Sequence, residues 1–146
     1  MSLNTIFDIA GSGMNAQSVR LNTTASNIAN AETASSSSGQ TYRGRHPVFS
    51  AVHASMMKAN DGTNALNEDA SAGVAVAGIV ESDAPLQQRY EPHHPMANEE
   101  GYVYYPNVNV VEEMANMISA SRSFQINVEV MNSAKTMMQR VLQLGQ

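Results

Sequence analysis

Residues 109–144 read NVVEEMANMISASRSFQINVEVMNSAKTMMQRVLQL. Val110, Met114, Met117, Ser121, Phe124, Val128, Met131, Lys135, Met138 and Leu142 follow one another in alternating steps of four and three. Such positions share a face only on a helix, and their alternation is that of a coiled-coil seam. The start is marked by Pro106, by Asn109 at the N-cap position and by Glu112 three residues later, as in a capping box. Gly145 suits the stop. Roughly 36 residues at 1.5 Å each give roughly 54 Å. A usual globular helix has about 12 residues. The apolar edge must therefore meet another helix, another subunit, or both. Ser121 and Lys135, at seam positions, suit a role in setting register.

The other end repeats the pattern. Leu3, Phe7, Ala10, Met14, Gln17, Leu21, Thr24, Ile28 and Ala31 keep the same alternation. A helix is expected from Asn4, as N-cap, to about Ala31, with Asp8 near the positive end of its dipole. Gly11 and Gly13 each cost roughly 1 kcal/mol relative to Ala, so fraying or a kink is expected before Met14. Asn22, Ser26, Asn27 and Asn30 cluster toward the end. They read either as a polar face or as amides that hydrogen-bond between packed helices and fix register.

Between the helices the character changes. Ser35–Ser38 and Gly39 suggest a mobile loop. Thr41–Phe49 suits an extended segment, with Pro47 arguing for a sheet edge. Asp61-Gly62 marks a turn in a small, polar stretch over residues 53–72. Val74, Val76 and Ile79 suggest a strand. Pro85, Pro92, Pro95 and Pro106 exclude a helix around Tyr90, Tyr102, Tyr104 and Tyr105. The expected fold is mainly α. Long terminal helices over residues 1–33 and 107–146 pack as an antiparallel coiled-coil core. A small, irregular, β-containing insert spans residues 34–106.

The 146-residue chain carries a net charge of −5. The acids Asp8, Glu112, Glu113 and Glu129 balance Arg20, Arg122, Lys135 and Arg140 in the helical ends, so the whole charge lies in the middle. Neutral ends can pack densely while an acidic middle faces solvent. No basic stripe suits nucleic acid. Ten methionines, most of them in the helical ends, suit interfaces with several neighbours. With no cysteine there is no disulfide or thiolate site. The start lacks a basic, then apolar, leader pattern, and no run approaches about 18 apolar residues. His93-His94 lies near Glu91, Glu99 and Glu100, but adjacent residues of an extended segment point apart. No metal, cofactor or catalytic group is expected, at this pair or at the lone His46 and His53. The competing classes are a small hydrolase built on His93 and His94, and a secreted coiled-coil protein of another type III system.

The run SGMNAQSVRLNTTASNIANAET over residues 12–33 resembles the N-terminal signature of the bacterial flagellar axial proteins, the rod and hook subunits. PNVNVVEEM (106–114), ISASRSFQ (118–125) and NVEV (127–130) resemble the matching C-terminus of the rod proteins. Ala34–Gln40 before Tyr42-Arg43, then YEP (90–92), HPMA (94–97) and GYV (101–103), are similar to the proximal-rod branch. The resemblance implies a helical core formed by both termini and an outer insert. It implies a structural subunit of the torque-transmitting drive shaft around the export channel, required for motility. It implies passage through the flagellar type III export apparatus without a cleaved signal peptide, and a place in the periplasmic basal body. Partners would be copies of itself and other rod subunits, with no direct membrane insertion. The expected assembly interface is Phe7, Met14, Leu21, Asn27, Ile28, Asn30, Val110, Met114, Met117, Phe124, Val128, Met131, Met138 and Leu142. The termini are expected to be largely disordered before assembly and to fold on joining the rod.

Overall fold

The computed structural model describes residues 3–53 and 71–144, so the expected Asp61-Gly62 turn lies outside the described residues. In order, the elements are α1 (Leu3–Asn30), β1 (Arg45–His53), β2 (Ser71–Glu81), β3 (Gln87–Tyr90), β4 (Tyr102–Tyr105) and α2 (Val110–Leu144). This is mixed helix and strand, with two long helices and two small antiparallel sheets, rather than a mainly helical coiled coil. β1 pairs with β2, and β3 with β4.

α1 runs unbroken through Gly11 and Gly13 for 28 residues. Helical backbone thus persists through both glycines, since tertiary context can override intrinsic propensity. Asn4 lies inside the first turn rather than capping it. α2, at 35 residues, is about 52 Å long. Its start is capped as expected: Asn109 Oδ1 accepts from the Val111 amide at 3.1 Å and the Glu112 amide at 3.5 Å. Among the described residues, no helix is long and apolar enough to cross a membrane.

The chain forms two compact units, and both helices contribute to each. The first unit comprises Met1–Val19, Val48–Gly78 and Ala120–Gln146. Among its described residues, the buried apolar ones are alanines: Ala10, Ala16, Ala120 and Ala134. Small residues let helix backbones approach closely. A side chain at Gly13 would start 2.9 Å from Asn127 Nδ2 on α2. At Gly73 φ is +147°, and a Cβ there would meet Ser12 Oγ at 2.5 Å. That hydroxyl also accepts from the Val74 amide at 3.1 Å, tying β2 to α1.

The second unit comprises Arg20–Pro47 and Ile79–Ser119. Its buried residues are Val103, Pro106, Val108 and Ala31, with a polar set of Thr23, Thr24, Asn27, Ser35, Thr41 and Glu113. The serine run is held in place instead of being a free loop. Ser35 exchanges two backbone hydrogen bonds with Tyr104, at 3.0 and 2.9 Å, beside β4. Thr41 Oγ1 closes the run by donating to the Ser37 carbonyl at 2.8 Å. Serine hydroxyls and backbone thus satisfy each other locally, which composition does not show. The expected strand over Thr41–Phe49 begins only at Arg45 and continues to His53. Residues 41–44 are instead drawn into the contacts described next.

Candidate assembly interface

The asparagines of the N-terminal signature do intramolecular work. Asn27 is fully buried. Its Oδ1 accepts from the Arg45 amide at 2.9 Å and from the Tyr42 hydroxyl at 2.8 Å. Its Nδ2 donates to the Arg45 carbonyl at 2.8 Å. One side-chain amide therefore bonds both peptide groups of Arg45, as a neighbouring strand would. Every polar atom of this buried amide is used, which makes the contact stiff and specific. Asn30 Nδ2 donates to the Ser26 carbonyl at 2.8 Å and strengthens the last turn of α1.

A second amide ties down the entry to α2. Asn107 Oδ1 accepts from the Gly44 amide at 2.8 Å, and its Nδ2 donates to the carbonyls of Ser82 and Ala84 at 3.1 and 2.8 Å. Arg43 reaches the same two carbonyls at 3.1 and 3.4 Å. Arg45 pairs with Glu81 at 2.9 Å and lies over the Tyr42 ring at 5.4 Å. Thus α1, the leading end of β1, the trailing end of β2 and the entry to α2 converge on two asparagines. Sequence reasoning missed Asn107 as a contact residue. The available signal was an amide directly after Pro106 at a helix entry.

The faces of α2 decide what the molecule can meet. Glu113, Ala120 and Ala134 are buried, and Met117, Phe124, Asn127, Met131 and Met138 are half-buried. These positions recur in steps of three and four and form the packed face. Its rows share Met117, Phe124, Met131 and Met138 with the expected seam. Val110 and Val128 are half-buried at its margin, whereas Met114 and Leu142 are exposed. On α1, Phe7, Met14, Leu21, Ile28 and Asn30 are half-buried, while Ala10, Ala16, Thr23, Thr24 and Asn27 are buried. Gln17 Oε1 is buried with no hydrogen-bond partner among the described residues.

Away from the packed face, α2 exposes large apolar side chains interspersed with Arg122, Glu129 and Arg140. Val111 is 76% exposed, Ile118 67%, Met137 62% and Val141 61%, and Ile126 and Val130 join them. At 3.6 residues per turn these side chains fall away from the packed row. Their bulk exceeds that of the alanines buried on the inner face. Val48, Phe49, Val74, Ile79 and Val80 are likewise uncovered on the β1–β2 sheet. A two-stranded sheet is marginal alone. Large exposed apolar surfaces of this kind mark places where another macromolecule sits.

Among the described residues, no group of three or more His, Asp or Glu could hold a metal ion. His94 has a loop role, its Nδ1 accepting from the Met96 amide at 3.1 Å.

Comparison with known proteins agrees with this arrangement. Residues 7–34 match the family described as "Flagella basal body rod protein", and residues 99–144 match "Flagellar basal body rod FlgEFG protein C-terminal". The matches contain most of α1 and all of α2. Over its full length the chain is 49% identical to the flagellar basal-body rod protein FlgC of Escherichia coli O157:H7, also over that protein's full length. The FlgC proteins of Salmonella typhimurium and Yersinia enterocolitica are 48% and 47% identical, with full coverage of both chains.

Proposed function

Because this chain belongs to the FlgC family of flagellar basal-body rod proteins, we propose that its α2 outer face is where neighbouring subunits dock as the rod grows. It is a structural subunit of the rod. In this reading the rod is the drive shaft that surrounds the export channel and carries torque across the periplasm. The subunit reaches it through the flagellar type III export apparatus without a cleaved leader, and motility depends on it. The division into a helical core (1–33 and 107–146) and an insert (34–106) follows the same logic.

The observation that carries the reading is the inverted α2 helix, with alanines buried and Val111, Ile118, Ile126, Met137 and Val141 in water. Fully covering a side chain of this size contributes about 1.5–3 kcal/mol, and each of these is still half or more exposed. Several acting together offset the cost of ordering long helices, about 1–2 kcal/mol per residue, better than an alanine core does alone. The helices pair antiparallel, a reading supported within the second unit. Arg20 donates to Asn116 Oδ1 at 2.9 Å. Two turns later Asn27 holds Arg45, whose neighbours Gly44 and His46 reach Asn107 and Glu113, earlier on the chain than Asn116. An open, head-to-tail contact between such subunits generates a helical array instead of a closed ring.

Ile118→Asp tests this. The purified variant should keep its helical circular dichroism, since the side chain stands in solvent. Cells carrying it should build no rod beyond this subunit and should not swim. Normal motility would refute the docking role.

A further inference from the structure

The same chain carries a surface complementary to the outer face of α2. The loop between β3 and β4 forms an acidic tip with an apolar edge. Residues 90–101 contain Glu91, Glu99 and Glu100 and no Lys or Arg, a charge of −3. Tyr90 is 65% exposed and Met96 42%. Tyr90 packs edge-on against Tyr102 at 5.3 Å, and Gly101, at φ +81°, leaves room for its ring.

The tip is stiff. The His94 amide donates to the Glu91 carbonyl at 3.0 Å, and the Ala97 amide to the His94 carbonyl at 2.9 Å. Asn98 Oδ1 accepts from the Glu100 and Tyr102 amides at 3.0 and 2.8 Å. Tyr105 donates to Glu91 at 3.1 Å, and partial burial, then this carboxylate, raise its hydroxyl pKa above the ordinary tyrosine value. Glu91 is thereby engaged within the subunit, which leaves Glu99 and Glu100 exposed for an outside partner. A preformed tip loses little entropy on docking.

The second half of α2 has the opposite sign. Residues 120–144 carry Arg122, Lys135 and Arg140 against Glu129, a net charge of +2, and all four are exposed. Arg122 lies one turn from Ile126, and Arg140 one turn from Met137 and beside Val141. An apolar stripe flanked by guanidinium groups fits an apolar tip flanked by carboxylates.

We infer that the β3–β4 tip of one copy docks on the outer face of the C-terminal half of α2 in a second copy of this chain. Tyr90 and Met96 meet Met137 and Val141, and Glu99 and Glu100 face Arg140. Exposed ion pairs contribute little affinity. Here they set partner and register, while the apolar contact holds the copies together. The inference rests on the rod-subunit reading and adds the identity of the occupant.

The chain has no cysteine, so single cysteines report the contact directly. Met96→Cys and Met137→Cys chains are expressed together in cells lacking the natural chain, and basal bodies are oxidised. A disulfide-linked dimer of this chain should form only when both variants are present. Basal bodies that contain both variants and yield no such dimer, or a link from Met137→Cys to a different axial component, overturn the contact and leave the rod assignment standing. Glu99→Arg with Glu100→Arg should reduce swimming about tenfold or more, and adding Arg140→Glu should restore a substantial part of it. Unimpaired swimming in the first variant, or no rescue in the second, overturns the proposal even where the cysteines disturb assembly.

Discussion

The two faces of α2 reverse the usual order of a globular protein. The inner face fully buries only Ala120, Ala134 and Glu113 among the described residues, and half-buries Met117, Phe124, Met131 and Met138. The outer face leaves Val111, Ile118, Ile126, Met137 and Val141 in solvent. Small inner residues bring helix backbones close but bury little apolar area, so they define geometry more than they supply stability. Large outer residues hold unspent burial energy. The contrast teaches that the subunit leaves apolar surface uncovered, which, under the proposed docking, neighbours would bury.

Substitutions on the two faces should therefore fail in different ways. The largest effect is expected from Phe124→Asp, on the packed face. It places a charge in a half-buried aromatic site and should destabilise the isolated subunit by about 3–5 kcal/mol. Loss of helical circular dichroism in the monomer checks this. If Phe124→Asp leaves the monomer intact and blocks only assembly, as Ile118→Asp should, the two faces have been assigned the wrong way round.

Asn27→Asp comes next, at about 3 kcal/mol. A carboxylate cannot donate to the Arg45 carbonyl, and its charge would be buried. Denaturant titration would measure the cost. An effect under about 0.5 kcal/mol would mean that the amide is not holding β1 to α1. Ala120→Leu should cost about 1–3 kcal/mol by overpacking, whereas the same volume added outside, by Ser119→Leu, should be nearly neutral. Equal costs would erase the difference between the faces. The smallest effect is a gain. Gln17→Leu removes a buried acceptor that has no partner among the described residues and should stabilise the subunit by up to about 1 kcal/mol, read as a higher Tm.

The helices were legible because three–four periodicity, the Asn109 cap and the length of the pattern all agreed. Which side of α2 faces inward was legible in part: Met117, Phe124, Met131 and Met138 lie on the packed face, whereas Met114 and Leu142 are exposed. An apolar seam drawn through Met114 and Leu142 looks inward-facing by composition, yet the buried positions here are Ala, Asn and Glu. On α2, hydrophobicity marks exposed positions such as Val111 and Ile118 as well as packed ones such as Phe124. The Asn27 cluster was visible as a pattern, but its partner was not, because Arg45 lies 18 residues away across an irregular loop. The serine run looked free for the same reason: its anchor, Tyr104, lies far along the chain. The Pro- and Tyr-rich segment was readable as non-helical, while its β3–β4 pairing depends on turn chemistry at Asn98 and Gly101.

Chemical accessibility of the outer face tests the central claim most directly. With Ile126→Cys as the only thiol, the free subunit should react with maleimide at nearly the rate of an unstructured peptide. In intact basal bodies the same thiol should react at least a hundredfold more slowly. Equal rates in the two states would show that no neighbour covers this helix.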